Sequence, residues 1–372
     1  MEFNSFILWA AFLTAFALGI LFTPLAIWLA PRIGAMDIPK DDRRVHKKPI
    51  PRFGGMAIFI GVMVSICIFV VPAFIPGKSM EGILIGGILI YGFGVLDDLK
   101  NLSPKLKFLA QFVCAVIVYA SGIRLDFISD FLGGGDLIFG SIASFLVTVL
   151  WIVGITNAIN LVDGLDGLAA GIAAIASLCI AYAGYIRGHY VAATVMLAVA
   201  GGALGFLPYN FHPAKIFMGD GGSQFLGFCL ATFSLIQPVK SATVVAVAIP
   251  ALVLGLPIFD TAFAILRRLV RKQSIVVADK EHLHHRIMRA GFGQRRSVMI
   301  MYCISGIMGV VAVEYSRRYM VECLGLLAIA VMLLYVLLSD TSNKKIELHA
   351  VNIKKEEEKE KKHRKEEWQK KS

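Results

Sequence analysis

Apolar runs long enough to cross a bilayer recur along almost the whole chain, and no other feature of the sequence constrains the fold as strongly. A spanning helix needs about 20 mainly apolar residues. Eleven such runs lie at roughly 5–30, 54–73, 80–96, 106–122, 138–157, 167–184, 189–208, 222–238, 241–266, 298–314 and 320–339. Of the 372 residues, 57% are hydrophobic and only 17% charged, which excludes a soluble domain of ordinary make-up. The expected fold class is therefore all-α and polytopic, with about 11 transmembrane helices. One membrane domain over 1–339 is followed by a densely charged tail over 340–372, expected to be disordered. The first run is too long for the apolar part of a cleavable signal and lacks a basic flank, so it is read as a permanent span.

Lys and Arg set the orientation. Of the 37 in the chain, 31 fall in the odd-numbered connections and the tail, which puts the N-terminus outside and the C-terminus in the cytoplasm. The net charge of +11 is first an orientation signal, then an attraction for anionic lipid and anionic substrate. It does not point to nucleic acid. The six cysteines stand singly in apolar runs, as small buried hydrophobes do, without metal-site or disulfide spacing.

Five polar clusters break the apolar pattern, and the topology places all of them at the cytoplasmic face. DIPKDDRRVHKKPIPRFGG, from Asp37 to Gly55, interleaves bases with prolines. It reads either as a basic membrane flank or as a collar for a lipid phosphate. Asp97 and Asp98 end the third run; adjacent carboxylates repel unless a cation, proton or polar partner is supplied. A helix-end cap, with Ser103-Pro104 opening the next helix, explains part of this pattern. In NAINLVDGLDG the three-residue steps from Asn157 through Asn160 and Asp163 to Asp166 predict a polar stripe along one helix face.

KIFMGDGGSQFLG embeds Asp220 among glycines, with Phe217 three residues earlier; Asp220 is either a ligand-facing acid or a cap for the helix that follows. DKEHLHHRIMRAGFGQRR crowds His282, His284, His285 and Arg286 into five positions. Zinc is the weaker reading, because no Cys accompanies them and the oxygen-rich acids and amides elsewhere suit magnesium. Together the clusters fit magnesium-assisted chemistry on a phosphorylated, lipid-borne substrate.

The ordered set PRFGG, DDL, NAINLVDGLDGLAAG, FMGDGGS and HLHHR resembles the bacterial polyprenyl-phosphate N-acetylhexosamine-1-phosphate transferases, the family of WecA, TagO and MraY. HLHHR and the stretch from Arg43 to Gly55 look like the WecA and TagO branch. The resemblance implies a multi-pass protein of the bacterial plasma membrane. It implies UDP-GlcNAc as donor and undecaprenyl phosphate as acceptor, giving GlcNAc-diphospho-undecaprenol and UMP for a cell-wall or surface polysaccharide. The same chemistry on another UDP-N-acetylhexosamine or on UDP-MurNAc-pentapeptide is the alternative.

Carried over by the resemblance, Asp97 and Asp98 are the catalytic acids, and Asn160 and Asp220 hold Mg2+, with Mn2+ as its substitute. Lys107, Asp163, Asp166 and Phe217 bind the nucleotide; His282, His284, His285 and Arg286 bind sugar and diphosphate; Arg43, His46 and Arg52 bind the lipid phosphate. A homodimer is compatible with this family. A lipid or ion transporter is the rival of another class. It predicts charges near the midplane and on both faces, whereas here they gather on one.

Overall fold

The computed structural model describes residues 5–38, 49–72, 77–128, 137–236, 288 and 293–316. Among them the chain forms α1 (Ser5–Ile33), α2 (Gly55–Phe69), α3 (Lys78–Lys100), α4 (Pro104–Ala120), α5 (Ser141–Val162), α6 (Leu168–Ile186), α7 (Tyr190–Asn210), α8 (Gly219–Leu235) and α9 (Gln294–Ser316). Each coincides with one of the apolar runs. Six of these helices are long and apolar enough to cross a membrane, and α2 is a shorter apolar helix. The runs 241–266 and 320–339, the tail, Arg43, His46, His282, His284, His285 and Arg286 lie outside the described residues.

Burial separates the helices by role. On α8 every residue is buried, and it packs against α2, α3, α5, α6 and α7, so it is the central helix of the bundle. On α1 the large side chains Phe6, Trp9, Leu13, Leu21 and Trp28 are exposed, as a helix facing hydrocarbon requires. Where helices approach most closely, glycines form the contact. A Cβ on Gly94 of α3 would lie 2.5 Å from Gly221 Cα of α8.

Local signals place the ends of these helices. Ser103 caps α4 by accepting from the Leu106 amide at 3.4 Å, and Pro104 takes the first helical position. Two short ladders mark opposite ends of the bundle. β1 (Met36–Asp37) pairs antiparallel with β2 (Ile50–Pro51), next to Arg52; β3 (Phe127–Ile128) pairs with β4 (Leu137–Ile138) between α4 and α5.

Candidate active site at one end of the bundle

The C-terminal ends of α3 and α5 meet the N-terminal ends of α4 and α8, and Asp220 stands where they converge. Its Oδ1 accepts from Arg52 Nη2 at 2.8 Å and from Asn160 Nδ2 at 3.4 Å; its Oδ2 pairs with Lys107 Nζ at 3.0 Å. Lys107 also pairs with Asp97, and Arg52 Nε with Asp98 Oδ1 at 3.1 Å. Five elements thus deliver one connected cluster.

Asp220 does not cap its own helix. The amides at the start of α8 are taken by Asp98 from α3, whose oxygens accept from Asp220 N at 2.8 Å and Gly221 N at 3.0 Å. The Asp220 side chain is thereby free to point at the two cations. Gly219 makes the approach possible: its φ is +77°, and a Cβ there would lie 2.5 Å from Asp98 Oδ2. Asp97 keeps part of its capping role, accepting from the Leu102 amide at 2.8 Å just beyond α3.

Backbone pairing brings Arg52 into the cluster. Phe217 N donates to Pro51 O at 2.8 Å, Gly54 N to Phe217 O at 2.9 Å and Gly55 N to Met218 O at 2.8 Å, so the PRFGG and FMGD stretches run side by side. The sequence assigned Arg52 to a lipid phosphate; the structure places it between Asp98 and Asp220. Burial works to lower its pKa, but Asp220, Asp98, Asp163 and Asp97 outweigh that and raise it, so the guanidinium stays charged.

One expectation is corrected. The stripe from Asn157 to Asp166 does not run along a single helix, because α5 ends at Val162 and Asp163 is its C-cap. A turn follows, with Gly167 at φ +82°, and the four side chains separate. Asn160 faces the acid cluster. Asp163 lies within electrostatic reach of Arg52; burial, opposed by Arg52, and the nearby Asp220, Asp98 and Asp166 push its pKa well above the ordinary carboxylate value. Asp166 turns instead to the segment after α7: its Oδ2 faces His212 Nδ1 at 2.7 Å and accepts from Ala214 N at 3.1 Å.

Asn157 looks one turn deeper into the bundle, where it forms an amide layer with Gln111 and Gln224. Gln111 Nε2 donates to Asn157 Oδ1 at 3.3 Å and to Gln224 Oε1 at 3.4 Å, and Asn157 Nδ2 returns a bond to Gln111 Oε1 at 2.5 Å. Each amide sits three or four residues from a cluster member on the same helix, so the layer fixes how α4, α5 and α8 are rotated about their axes. The sequence pattern does not single out Gln111 and Gln224. Their only signal in the sequence is a lone amide inside an apolar run, one turn from a charged or acidic residue.

The charge balance of the cluster leaves room for a cation. Four carboxylates, Asp97, Asp98, Asp163 and Asp220, surround two cations, Arg52 and Lys107, leaving two negative charges in excess when all are ionised. Among the described residues no three His, Cys, Asp or Glu side chains form a ready-made metal cage. Asn160 and Asp220 are the groups that could hold magnesium, a metal that binds through one or two protein groups and completes its shell with water or phosphate oxygens. A half-turn of the Asn160 amide presents its oxygen to the same point.

Residues 80–237 match the family described as Glycosyl transferase family 4. The chain is 41% identical over 303 residues, 82% of its length and 83% of the relative's, to the probable undecaprenyl-phosphate N-acetylglucosaminyl 1-phosphate transferase of Bacillus subtilis (strain 168). It is 37% identical to the decaprenyl-phosphate N-acetylglucosaminephosphotransferase of Mycobacterium tuberculosis (strain ATCC 25618 / H37Rv), over 80% of this chain and 78% of that one. With the undecaprenyl-phosphate alpha-N-acetylglucosaminyl 1-phosphate transferase of Escherichia coli (strain K12) it shares 27% identity over 80% of this chain and 82% of the relative. A homodimer finds no support in these comparisons.

Proposed function

This chain belongs to the polyprenyl-phosphate N-acetylglucosamine-1-phosphate transferases, multi-pass enzymes of the bacterial membrane, and from that premise we propose that it transfers GlcNAc-1-phosphate from UDP-GlcNAc to undecaprenyl phosphate. The products are GlcNAc-diphospho-undecaprenol and UMP, the first membrane step of a cell-wall or surface polysaccharide. The observation that carries the reading is the sharing of Asp220 between Arg52 and Lys107 beside Asn160, Asp97 and Asp98 at one end of the bundle. A transporter needs no such clustering of charge at a single end. The lysine- and arginine-rich connections put that end in the cytoplasm, where nucleotide sugars reside.

In the proposed reaction an oxygen of the lipid phosphate attacks the β-phosphorus of UDP-GlcNAc. The bond from that phosphorus to the oxygen bridging the two phosphates breaks, and UMP leaves with the bridging oxygen. Asn160 and Asp220 would hold Mg2+, with Mn2+ as a substitute, and the ion would supply charge neutralisation and orientation on the diphosphate. Lys107 and Arg52 bring two fixed cations to the same phosphates, which places them where negative charge is transferred. Phe217 stacks on uracil and Asp166 hydrogen-bonds its edge. His282, His284, His285 and Arg286 contact the sugar and diphosphate, and Arg43 and His46, with Arg52, meet the lipid phosphate.

For Asp97 and Asp98 the proposal is positioning of the reacting groups rather than covalent catalysis. Asp98 is engaged on both oxygens, by Arg52 and two α8 amides, and Asp97 by Lys107 and the Leu102 amide. A phosphate monoester with a second pKa near 6 is already largely dianionic at pH 7, so no protein nucleophile is needed. The deciding experiment supplies purified protein in detergent with Mg2+, undecaprenyl phosphate and UDP-GlcNAc. Released UMP with a lipid-linked diphosphate sugar, abolished by Asp220→Ala, supports the reading; released UDP or no nucleotide overturns it. Labelled UMP entering UDP-GlcNAc without any lipid would instead establish a covalent intermediate.

A further inference from the structure

Among the described residues helix α9 contributes nothing to the acid cluster, yet it reaches back to both walls of the region around Asp166. The Tyr302 hydroxyl donates to the Gly167 carbonyl, and Arg295 Nε donates to the His212 carbonyl at 2.8 Å. The Tyr302 ring lies so close over Gly171 of α6 that no Cβ fits there. On the opposite side Asn210, only 1% exposed, accepts from Gly167 N at 3.0 Å and donates to Ile216 O at 3.0 Å. The Gly167 backbone is therefore gripped at its N–H by Asn210 and at its oxygen by Tyr302. His212, gripped at its carbonyl by Arg295, presents its ring to Asp166 at 2.7 Å.

We infer that Tyr302, Arg295 and His212 are positioning residues for the nucleotide pocket, a clamp that fixes Asp166 and the 211–217 segment leading to Phe217 in the geometry that receives the uracil of the donor. The inference rests on the nucleotide roles proposed for Asp166 and Phe217. With Asp166 Oδ2 occupied by His212 and the Ala214 amide, Oδ1 is, among the described residues, the oxygen left to accept the uracil N–H. The clamp fixes which one that is. Orientation of an acceptor is what separates a base that offers an N–H at that position from one that offers a lone pair, so the clamp acts on selectivity for uridine over cytidine as well as on affinity.

The test measures UDP and CDP binding by isothermal titration on the full-length protein in detergent, with KM, kcat and melting temperature alongside. Tyr302→Phe removes one hydroxyl and should weaken UDP binding and raise the KM for UDP-GlcNAc about five- to tenfold, narrow the UDP-over-CDP preference and leave kcat within about twofold. Arg295→Lys keeps a donor and should lie between wild type and Arg295→Met. Tyr119→Phe deletes the same kind of bond, to Ser141 O at 3.3 Å at the other end of the bundle, and should leave UDP affinity unchanged. Wild-type affinity in Tyr302→Phe, or an equal loss in Tyr119→Phe, overturns the clamp. Wild-type protein that binds no UDP overturns the nucleotide reading and the clamp with it.

Discussion

Adding a single methyl group at Gly94 should disable the enzyme through geometry alone. A Cβ there would lie 2.5 Å from Gly221 Cα and 2.7 Å from Asp220 O, where ordinary contact begins at 3.4 Å. Helices α3 and α8 must then part by about 0.7–0.9 Å at this point, the shortfall in those contacts. The same helices carry Asp98 and the two amides that it accepts from, at 2.8 and 3.0 Å. A separation of that size stretches both bonds to about 3.5 Å or beyond, outside hydrogen-bond range. Overpacking of this kind costs about 1–3 kcal/mol of stability, and a shift approaching 1 Å in a reacting constellation costs on the order of 100-fold in rate. The assay is the initial rate of UMP release from UDP-GlcNAc, run beside a thermal melt. Gly92→Ala is the control on the same helix, where a Cβ meets nothing within 4 Å, and it should match wild type or melt slightly higher. A Gly94→Ala enzyme within threefold of the wild-type rate, or a Gly92→Ala enzyme equally impaired, refutes the reasoning.

Lys107→Met leaves Asp97 and Asp220 facing each other without their shared cation; kcat should fall by about 100-fold or more, and a fall under tenfold would count against a role on the diphosphate. Gln111→Leu leaves the side-chain oxygens of Asn157 and Gln224 without their donor, at about 1–3 kcal/mol for each unsatisfied group. The detergent-solubilised protein should melt several degrees lower. Asp166→Asn should raise the KM for UDP-GlcNAc while sparing kcat, measured by steady-state kinetics at saturating lipid.

Much of the site was legible because acids and amides inside apolar runs are costly and so stand out: Asp97, Asp98, Asn160 and Asp220 could be singled out from their neighbours alone. The place of Arg52 in the acid cluster was hidden for the complementary reason. A base among other bases before a span looks like an orientation signal, and only the pairing of residues 51–55 with 217–218 puts it against Asp98 and Asp220. The stripe in NAINLVDGLDG failed because periodicity gives spacing but not where a helix stops, and α5 stops at Val162. Tyr302 and Arg295 were beyond reach. They act through backbone carbonyls 135 and 83 residues away, and no side-chain chemistry in the sequence announces such a partner.

The order in which the partners leave the ribosome gives the Asp220 bridge a consequence for biogenesis. Asp97 and Lys107 lie either side of one short connection, so their pair can form as soon as the α3–α4 hairpin is in the membrane. The Gln111–Asn157 pair follows with α5. Asp220 comes 113 residues after Lys107 and 168 after Arg52, so both cations and Asp98 must wait, half-matched, while α5, α6 and α7 are inserted. Arrival of α8 then satisfies both cations, the Asp98 carboxylate and the third amide in one event. A nascent chain stalled before that helix holds much of the site's charge without the centre that reconciles it, and this is the interval in which membrane quality control has the most to recognise.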